Sequence, residues 1–506
     1  MKVSRRRFLA AGSAALIGLS VKADRPIAGS FVNDSFELGH RLRDRASLPA
    51  AKNVEKHAVV VVGGGIAGLS AAWRLHKRGF KDFVVLEMND QPGGNSRWGE
   101  NEITAYPWAA HYVPVPGPKA VYVRELFEDL GVLKNGVWDE RALCFAPQER
   151  LFLDGRWQEG IEPAIGLSEK DREQFRRLEA AIHQFRTSGG FTIPMELGVS
   201  KEQAALDRIS FADWLHEHGM DSRILNWYMN YCCRDDYGAL ASDTSAWAGI
   251  HYFAAREPEE KGPLTWPEGN GWIAQRLLER TGKFVRRGAV VHRIASAGTR
   301  QRVFAGETEY QAEFVIFAAP TFLAPYVVDG FGPLGGFEYS PWLTANLTLD
   351  RLPASYGSDS TWDNVVMNSP ALGYVDAMHQ SVRSHLDRTV WTFYWALAEG
   401  EPAANRRLLL ERDWNSWKQA ILRDLERVHP DVRQCVSRID GMRFGHAMAR
   451  PRPGAIFSEQ RRRLAHAGGR LLFANSDLSG FSIFEEAQYR GVIAAEKVLR
   501  QLNGKA

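Results

Sequence analysis

The pattern of hydrophobic and polar positions is most informative between residues 59 and 87. Val59–Val62 is a run of four valines without alternation, which predicts a strand buried on both faces of a parallel sheet. A glycine-rich turn and an apolar helical stretch follow, and a second apolar run, Val84–Leu86, ends in Glu87. The order strand, glycine turn, helix, strand and acid predicts a Rossmann-like dinucleotide-binding unit.

The glycine turn supplies the chemistry of that unit. Its three glycines have G-x-G-x-x-G spacing, which permits a tight turn and a close approach of the backbone to a pyrophosphate. The N–H groups and the positive end of the following helix stabilise the phosphate charge. An acid about 20 residues further on is placed to accept hydrogen bonds from a ribose. The predicted cofactor contacts are Gly63, Gly65, Ile66, Ala67, Gly68 and Glu87.

The residues after this acid favour a flavin. Positions 87–97 read E-M-N-D-Q-P-G-G-N-S-R, which resembles the second glycine element of the flavin amine oxidase superfamily. In that family, which includes amine oxidases and carotenoid desaturases, a Gly-Gly pair approaches the FAD diphosphate and an Arg neutralises it. The resemblance implies contacts from Gly93 and Gly94, with Asn95 in place of the usual Arg and Arg97 supplying the charge. The alternative is an ordinary Pro-Gly-Gly turn.

Residues 470–499 resemble the closing motif of the same family. Asp477 matches the acid that contacts the ribityl–phosphate region, and Asn475 stands where the family has Gly. A helix from about Ile483, with Phe484 in its first turn, is expected to point its positive end at the flavin pyrimidine ring. The alternative is a C-terminal helix that packs on the Rossmann sheet, and both can hold together.

The length of 506 residues and the 45% hydrophobic composition allow two cores. The predicted fold class is α/β, with a Rossmann-like FAD-binding domain built from discontinuous segments and an α+β substrate domain. By the resemblance, a backbone amide near Val290 or Val291 lies against the adenine. Amphipathic patterns predict helices over 168–190 and 403–428, and an aromatic strand begins at Thr389. The predicted units are a signal peptide (1–23), an irregular N-terminal segment (24–54), the FAD-binding domain (55–115, 265–330 and 440–506) and the substrate-binding domain (116–264 and 331–439).

The N-terminal sequence predicts where the protein is located. Ser4-Arg-Arg-Arg-Phe-Leu9 resembles a twin-arginine export signal, and Val21-Lys-Ala23 offers a small-x-Ala cleavage site. We therefore expect a bacterial protein that uses the twin-arginine export machinery and works in the periplasm or outside the cell. The alternative is a short membrane anchor, although the apolar stretch is short for a span.

The charge balance and the spacing of the cysteines argue against a nucleic-acid-binding protein and against a metal site. Residues 1–23 hold five of the 63 Lys and Arg residues and no acid, which leaves 58 basic and 60 acidic residues in the rest of the chain. Nucleic acid is therefore not an expected partner. The four cysteines, at 144, 232, 233 and 435, have no metal-ligand spacing, so no metal site is predicted. The adjacent pair is either a strained disulfide or two reduced, buried thiols.

Three residues are candidates for the chemistry. His111 lies where relatives run a segment past the isoalloxazine, and it either contacts flavin or substrate or belongs to the core. Asn346 takes the place of a lysine that many amine-oxidising relatives hold near flavin N5, and its presence favours a dehydrogenase. His446 stands where some relatives attach FAD through a Cys, so the resemblance implies non-covalent FAD. His446 faces the flavin or substrate, or is structural.

The leading hypothesis is an FAD-dependent oxidoreductase that oxidises an amine or polyamine C–N bond by hydride transfer to flavin N5. Asp235 and Asp236 either bind the distal ammonium of a polyamine or form a solvated Arg-Asp-Asp turn. The expected partners are a small-molecule amine and an electron acceptor, which is oxygen, a quinone or a cytochrome. The alternatives are a C–C desaturase or isomerase of an apolar substrate, and a non-enzymatic exported flavoprotein.

Overall fold

The computed structural model describes residues 26–32, 35–44, 49–256, 262–382 and 386–504. The predicted signal peptide, residues 1–23, lies outside the described residues.

The strands form two large sheets and two small hairpins. The strands are β1 (Asn53–Val62), β2 (Phe83–Leu86), β3 (Trp98–Glu100), β4 (Ala105–Pro107), β5 (Leu133–Lys134), β6 (Val137–Trp138), β7 (Glu149–Leu153), β8 (Arg156–Glu159), β9 (Val285–Arg286), β10 (Val291–Ala297), β11 (Arg300–Ala305), β12 (Thr308–Phe317), β13 (Tyr339–Leu349), β14 (Asp363–Val366), β15 (Gly373–Asp376), β16 (Thr389–Ala396), β17 (Val436–Ala449) and β18 (Leu471–Phe473).

The helices cover both sheets. They are α1 (Phe36–Arg43), α2 (Ile66–Lys77), α3 (Val121–Leu130), α4 (Glu169–Thr187), α5 (Phe211–Glu217), α6 (Arg223–Tyr237), α7 (Ala246–Ala254), α8 (Gly271–Thr281), α9 (Ala324–Val327), α10 (Pro402–Glu411), α11 (Trp414–Leu425), α12 (Val432–Cys435), α13 (Glu459–Ala465) and α14 (Phe484–Asn503).

The first sheet has the strand order β10-β11-β12-β1-β2-β9, with β18 paired to β12. β1 is parallel to both β2 and β12, and it lies near the centre of the sheet. The four valines at its end are buried on both faces: Val59 and Val61 pack under α2 and α14, while Val60 and Val62 face the opposite core. The predicted α/β fold with a Rossmann-like sheet is confirmed.

The second sheet has the order β17-β13-β16-β15-β14-β7-β8. One face of β13 packs on α11 through Leu343, Ala345 and Leu347. The alternate residues of β13 point to the other face, where Trp342 joins a cluster of aromatic side chains. Because side chains alternate along a strand, Thr344 and Asn346 point to this same face.

The predicted secondary structure of the second unit is largely present. α4 lies within the predicted helix 168–190, and β16 begins at Thr389 as expected. The predicted helix 403–428 is two helices, α10 and α11, because Asp413 begins a new one by accepting a hydrogen bond from the Ser416 amide at 3.0 Å.

The N-terminal segment differs from the irregular segment that the sequence predicted. It contains α1, whose Leu42 is buried in the core beside β1 and β2. Before α1, the backbone of residues 28–32 pairs with β17. Also, β17 lies wholly in the second sheet, although the predicted division at residue 440 runs through it. Sequence periodicity predicts neither the pairing of residues 28–32 with β17 nor the place of β17 in the second sheet, because these contacts join distant parts of the chain.

No helix in the described ranges is both long and apolar enough to cross a membrane. No group of three or more His, Cys, Asp or Glu side chains in these ranges is arranged to hold a metal ion. All four cysteines are free and buried, and Cys232 and Cys233 belong to α6 as two separate thiols.

Candidate functional site

Two glycine loops meet at the carboxyl end of β1. Gly65 and Gly93 form a β-bridge, and the amide of Gly93 donates to the carbonyl of Gly64 at 2.9 Å. A Cβ on Gly94 would lie 3.3 Å from the Cα of Gly65, and Gly94 has a left-handed φ of 60°. The loops therefore form a narrow cradle of backbone without side chains, which a side chain would fill and which a pyrophosphate needs.

The start of α2 is held close to this cradle. A Cβ on Gly68 would lie 1.9 Å from the carbonyl oxygen of Gly63, so only glycine allows the helix to approach the strand end. Ile66 and Ala67 form the first turn of α2, as predicted, and both are buried. The carbonyl of Ala67 would lie 2.1 Å from a Cβ on Gly491, which brings α14 equally close.

Glu87 lies at the end of β2 and is buried. Its Oε2 accepts a hydrogen bond from the Gly64 amide at 2.7 Å, and its Oε1 accepts from the Asn89 amide at 2.8 Å. Its carbonyl accepts from the amide of Ala289, which brings the segment before β10 beside it. The structure thus brings Ala289, two residues before Val291 at the start of β10, beside Glu87, although β10 itself lies at the other end of the strand order from β2.

Asn95 and Arg97 follow the second glycine loop. Asn95 is exposed, and its side-chain amide donates to the carbonyl of Ala447 at 2.7 Å. The Arg97 guanidinium donates to the Gly94 carbonyl at 3.1 Å and contacts the Met442 sulfur at 3.3 Å. Arg97 is therefore held beside the cradle at half-burial, where it can supply the charge that Asn95 lacks.

Asp477 is fixed by the protein itself. Its carboxylate accepts hydrogen bonds from the Thr321 amide at 2.8 Å, the Thr321 hydroxyl at 2.6 Å and the Tyr339 hydroxyl at 2.7 Å. Burial raises its pKa, because these hydrogen bonds offset only part of the desolvation. These bonds join the loop after β18 to the turn after β12, and the predicted contact of Asp477 with a ribityl–phosphate stays a prediction.

α14 begins at Phe484, as the resemblance implied. The Phe484 ring packs on Phe127 at 6.1 Å between ring centroids, so the side chain belongs to the core and only its backbone amide is available at the helix end. The next residue, Glu485, is 2% exposed, and its Oε2 has no hydrogen-bond partner. Burial raises the pKa of Glu485 to about 8. The sequence gives no signal for Glu485, because an acid in a first helical turn is ordinary.

His111 lies in an aromatic setting. Its ring stacks on Tyr394 at 4.5 Å and lies 5.4 Å from the ring of Trp362. Its Nδ1 is 3.1 Å from the carbonyl of Ala109. Burial lowers the pKa of His111 to about 4, so the imidazole is neutral near pH 7.

Asn346 is 3% exposed, and its amide is already paired within the protein. It donates to the Pro107 carbonyl at 3.1 Å and accepts from the Thr392 hydroxyl at 2.7 Å. The neighbour on the same face of β13, Thr344, is fully buried, and its hydroxyl has no hydrogen-bond partner. Thr344 is thus a second candidate on this strand, which the sequence did not distinguish from an ordinary strand threonine.

His446 lies on β17 and is exposed. Its ring stacks on Phe322 at 4.2 Å and meets the edge of Tyr339 at 5.9 Å. The next residue, Ala447, receives the hydrogen bond from Asn95, so His446 lies on the side of the second glycine loop. The carbonyl of Asn95 also accepts a hydrogen bond from the Ala110 amide at 2.9 Å, so Asn95 joins the neighbours of His446 and of His111, although the two rings contact different aromatic side chains.

Asp235 and Asp236 lie in the last turn of α6, so the interpretation as a solvated turn is wrong. Asp236 forms a buried ion pair with Arg256 at 2.7 Å. Asp235 accepts a hydrogen bond from the Tyr112 hydroxyl at 3.4 Å. Burial and the neighbouring Asp236 raise the pKa of Asp235 to about 7.

A third carboxyl, Asp363 at the start of β14, lies close enough to Asp235 to interact with it. Burial and the charge of Asp235 hold the pKa of Asp363 well above its usual range. Asp235 and Asp363 are each half-buried. The sequence gave no signal for Asp363, because only the second sheet brings it to α6.

We call the group of side chains around these two carboxyls the acidic recess. Its aromatic members come from different elements: Tyr112 and Trp362 lie 5.8 Å apart, and Tyr394 stacks on His111. The recess is defined by Asp235, Asp363, His111, Tyr112, Tyr231, Trp362 and Tyr394.

Comparison with known proteins agrees with the dinucleotide site. A model of an NAD(P)-binding Rossmann-like domain matches residues 61–130. The chain is 29% identical over 136 residues to a Baeyer-Villiger monooxygenase, peniC, of Penicillium patulum, which covers 26% of this chain and 20% of the relative. It is 27% identical over 326 residues to a protein of Mycobacterium tuberculosis named as a flavin-containing monoamine oxidase, AofH, which covers 60% of this chain and 65% of the relative. The matches thus span less than two thirds of either relative.

The whole fold is similar to that of solved structures. Putrescine oxidase bound to putrescine superposes with a TM-score of 0.67 at 17% sequence identity, over 88% of this chain and 100% of the neighbour. Identity at this level shows a shared fold and does not extend to the substrate.

Proposed function

We propose that the chain binds FAD and oxidises the C–N bond of an amine or polyamine. Two observations support the cofactor: the cradle of bare backbone between the two glycine loops, and the buried acid Glu87 beside it. Gly63, Gly65, Gly68, Gly93 and Gly94 would accept the pyrophosphate. FAD supplies, when bound, an acceptor for a hydride from the carbon next to the amine nitrogen.

The acidic recess is the observation that supports an amine as the substrate. Its carboxyls favour a cation, and its aromatic rings attract an ammonium while they exclude water. The neutral imidazole of His111 adds no positive charge that would repel such a substrate. An apolar substrate, as the desaturase alternative requires, would instead leave Asp235 and Asp363 buried against hydrocarbon at high cost.

The protein-side chemistry is therefore binding, orientation and desolvation. Burial of the reacting nitrogen among the aromatic rings, away from the two carboxyls, would favour the neutral amine, which is the form that is oxidised. Water is needed afterwards to hydrolyse the imine product. The electron acceptor, which we propose to be oxygen, a quinone or a cytochrome, completes the cycle.

We propose non-covalent FAD, since His446 stands where some relatives attach the cofactor and the four cysteines lie elsewhere in the chain. Acid precipitation tests this: free FAD should be recovered in the supernatant.

The function is tested by anaerobic reduction of the flavin in purified protein, with a panel of amines, polyamines and amino acids. Rapid bleaching by an amine is expected, and readmitting air then distinguishes an oxidase from a dehydrogenase. Bound FAD that no amine reduces would reject the proposal and favour an apolar substrate or a protein partner.

We also propose export through the twin-arginine pathway, on the basis of residues 4–9 and 21–23. Replacing Arg5 and Arg6 together by Lys should hold the protein in the cytoplasm. Arg7→Lys is the matched control, because it preserves the pair. Equal export of both variants would contradict the proposal.

A further inference from the structure

A cavity of about 150 Å³ shares no lining residue with the dinucleotide site or with the acidic recess. Its walls come from residues 195–201, from α13 with the segment before it, and from the middle of α14. Three of its lining residues, Lys201, Arg462 and His466, are exposed, so the cavity can be reached from solvent. A cavity of this volume can hold a molecule of about the size of benzene.

The lining of this cavity, which we call the basic cavity, is positively charged. Four lysine and arginine side chains line it, whereas Glu196 is the one carboxyl among its described lining residues. Glu196 is already paired with Arg490 at 2.5 Å. The other three cations form no ion pair with any residue that the structure describes: Lys201, Arg461 and Arg462. Positive charge that is partly removed from water without a counter-charge is costly unless a ligand supplies one.

Arg490 is held in the wall by hydrogen bonds to the protein. It is 4% exposed, and its Nε donates to the Ser479 hydroxyl at 3.0 Å. Its Nη1 donates to Glu196, and Ser479 in turn donates to Glu486 at 2.6 Å. Its Nη2 makes no hydrogen bond to a described residue, so this donor is available to a ligand. Because the guanidinium already has a fixed position, little conformational entropy is lost when it binds an anion.

Arg461 adds positive charge to the cavity without a free donor. It is 5% exposed, and its guanidinium donates to the carbonyls of Ala455, Ile456 and Leu478. These carbonyls satisfy the N–H groups but do not cancel the charge. Burial and the charge of Arg490 lower the pKa of Arg461 to about 10, although three carboxyls nearby act in the opposite direction. Arg461 therefore attracts an anion by its charge and does not bind it directly.

The remaining wall of the basic cavity is apolar. Met195 and Ala465 are buried, and Val199 and Phe457 are half-buried. An inorganic anion would leave this wall in contact with water, and a neutral hydrocarbon would leave the cations without a partner. The combination suits a molecule with a negative group at one end and a short hydrocarbon part at the other.

We propose that the basic cavity binds a small organic acid, whose carboxylate is bound by Lys201, Arg462 and Arg490 and whose hydrocarbon part covers the apolar wall. The proposal adds a binding site to the protein and does not depend on the proposed amine oxidation. Because the bound acid contacts α13, α14 and residues 195–201 together, it should also raise the Tm of the protein.

The first test compares hexanoate with hexanamide, which has the same chain and no charge. Binding to the full chain is measured by calorimetry at low ionic strength. Hexanoate is expected to bind at least about 10-fold more tightly, because charge-assisted hydrogen bonds from the cations are made only to the carboxylate.

The second test locates the site with two variants of equal charge. Arg462→Glu should weaken hexanoate binding at least about 10-fold, because it places a carboxylate at the cavity. Arg463→Glu is the matched control, since Arg463 is the next residue of α13, is exposed and does not line the cavity. It should keep the affinity for hexanoate within about threefold. Lys201→Gln should weaken hexanoate binding about threefold or more.

Three outcomes would overturn the inference. They are equal affinities of Arg462→Glu and Arg463→Glu for hexanoate, equal affinities of the wild type for hexanoate and hexanamide, and no binding of hexanoate at concentrations up to about 10 mM. Each of these leaves the proposed amine oxidation unchanged, because that proposal is tested by reduction of the flavin and not by binding at this cavity.

Discussion

The carboxyls of the dinucleotide site and those of the acidic recess differ in their hydrogen-bond partners. Asp477 accepts three protein hydrogen bonds between 2.6 and 2.8 Å, and Glu87 accepts two from backbone amides. Asp235, in contrast, accepts one long hydrogen bond from a tyrosine, and its neighbour Asp363 is another acid. The hydrogen bonds of the first pair join neighbouring loops, while burial and mutual charge raise the pKa values of the second pair.

The largest effect is expected at the cradle, from Gly68→Ala. The new Cβ would lie 1.9 Å from the Gly63 carbonyl oxygen. Relief of this clash requires α2 to move away from the end of β1. We expect a loss of about 3 kcal/mol or more in the free energy of unfolding, together with loss of bound FAD. Chemical denaturation and the flavin content of the purified protein measure both.

Gly39→Ala is the control for that substitution, because a Cβ at Gly39 in α1 meets nothing within 4 Å. It should retain both stability and FAD. A Gly68→Ala protein with wild-type stability and full flavin would mean that the helix start does not need this close approach.

Asp477→Asn is expected to have the next largest effect. The amide nitrogen replaces one acceptor oxygen: at the Oδ2 position it opposes both the Thr321 amide and the Tyr339 hydroxyl, and at the Oδ1 position it faces the Thr321 hydroxyl. We expect a loss of about 1–3 kcal/mol in the free energy of unfolding. Tyr339→Phe removes a single hydrogen bond and should cost about 1 kcal/mol. If Asp477→Asn has the free energy of unfolding of the wild type, the hydrogen bonds of Asp477 do not stabilise the fold, and the two pairs of carboxyls do not differ in this respect.

The smallest effect is expected from Asp235→Asn, and its sign is opposite. The raised pKa means that the folded protein holds a proton that the unfolded chain releases, so the free energy of unfolding falls as the pH rises from about 4 through about 7. Near pH 8 the ligand-free variant should be more stable than the wild type by about 1 kcal/mol or more, and near pH 4 the two should match.

Urea denaturation at both pH values measures this difference, with Asp359→Asn, an exposed acid four residues before Asp363, as the matched control. A variant that is less stable than the wild type near pH 8 would show that Asp235 has a stabilising partner, and the recess would then resemble the dinucleotide site.

Much of the dinucleotide site could be predicted because its signals are local. The valine run, the glycine spacing and the acid lie within 30 residues, and the structure brings Gly65, Gly94 and Glu87 together as that order implies. The start of α14 at Phe484 was predicted for the same reason. The candidates His111, Asn346 and His446 were placed by resemblance alone. In the structure the rings of His111 and His446 contact different aromatic side chains, and Asn346 is paired within the protein.

The sequence by itself determined the Rossmann-like sheet and the cradle, because a buried parallel strand and a phosphate-binding turn each need specific residues at fixed short spacings. Only the tertiary structure decided the acidic recess. Asp235 and Asp363 are far apart in the chain, and each resembles an ordinary helix-end or strand-end acid until α6 and β14 enclose them together. Burial and mutual charge, which exist only after folding, raise the pKa values of two common carboxyls.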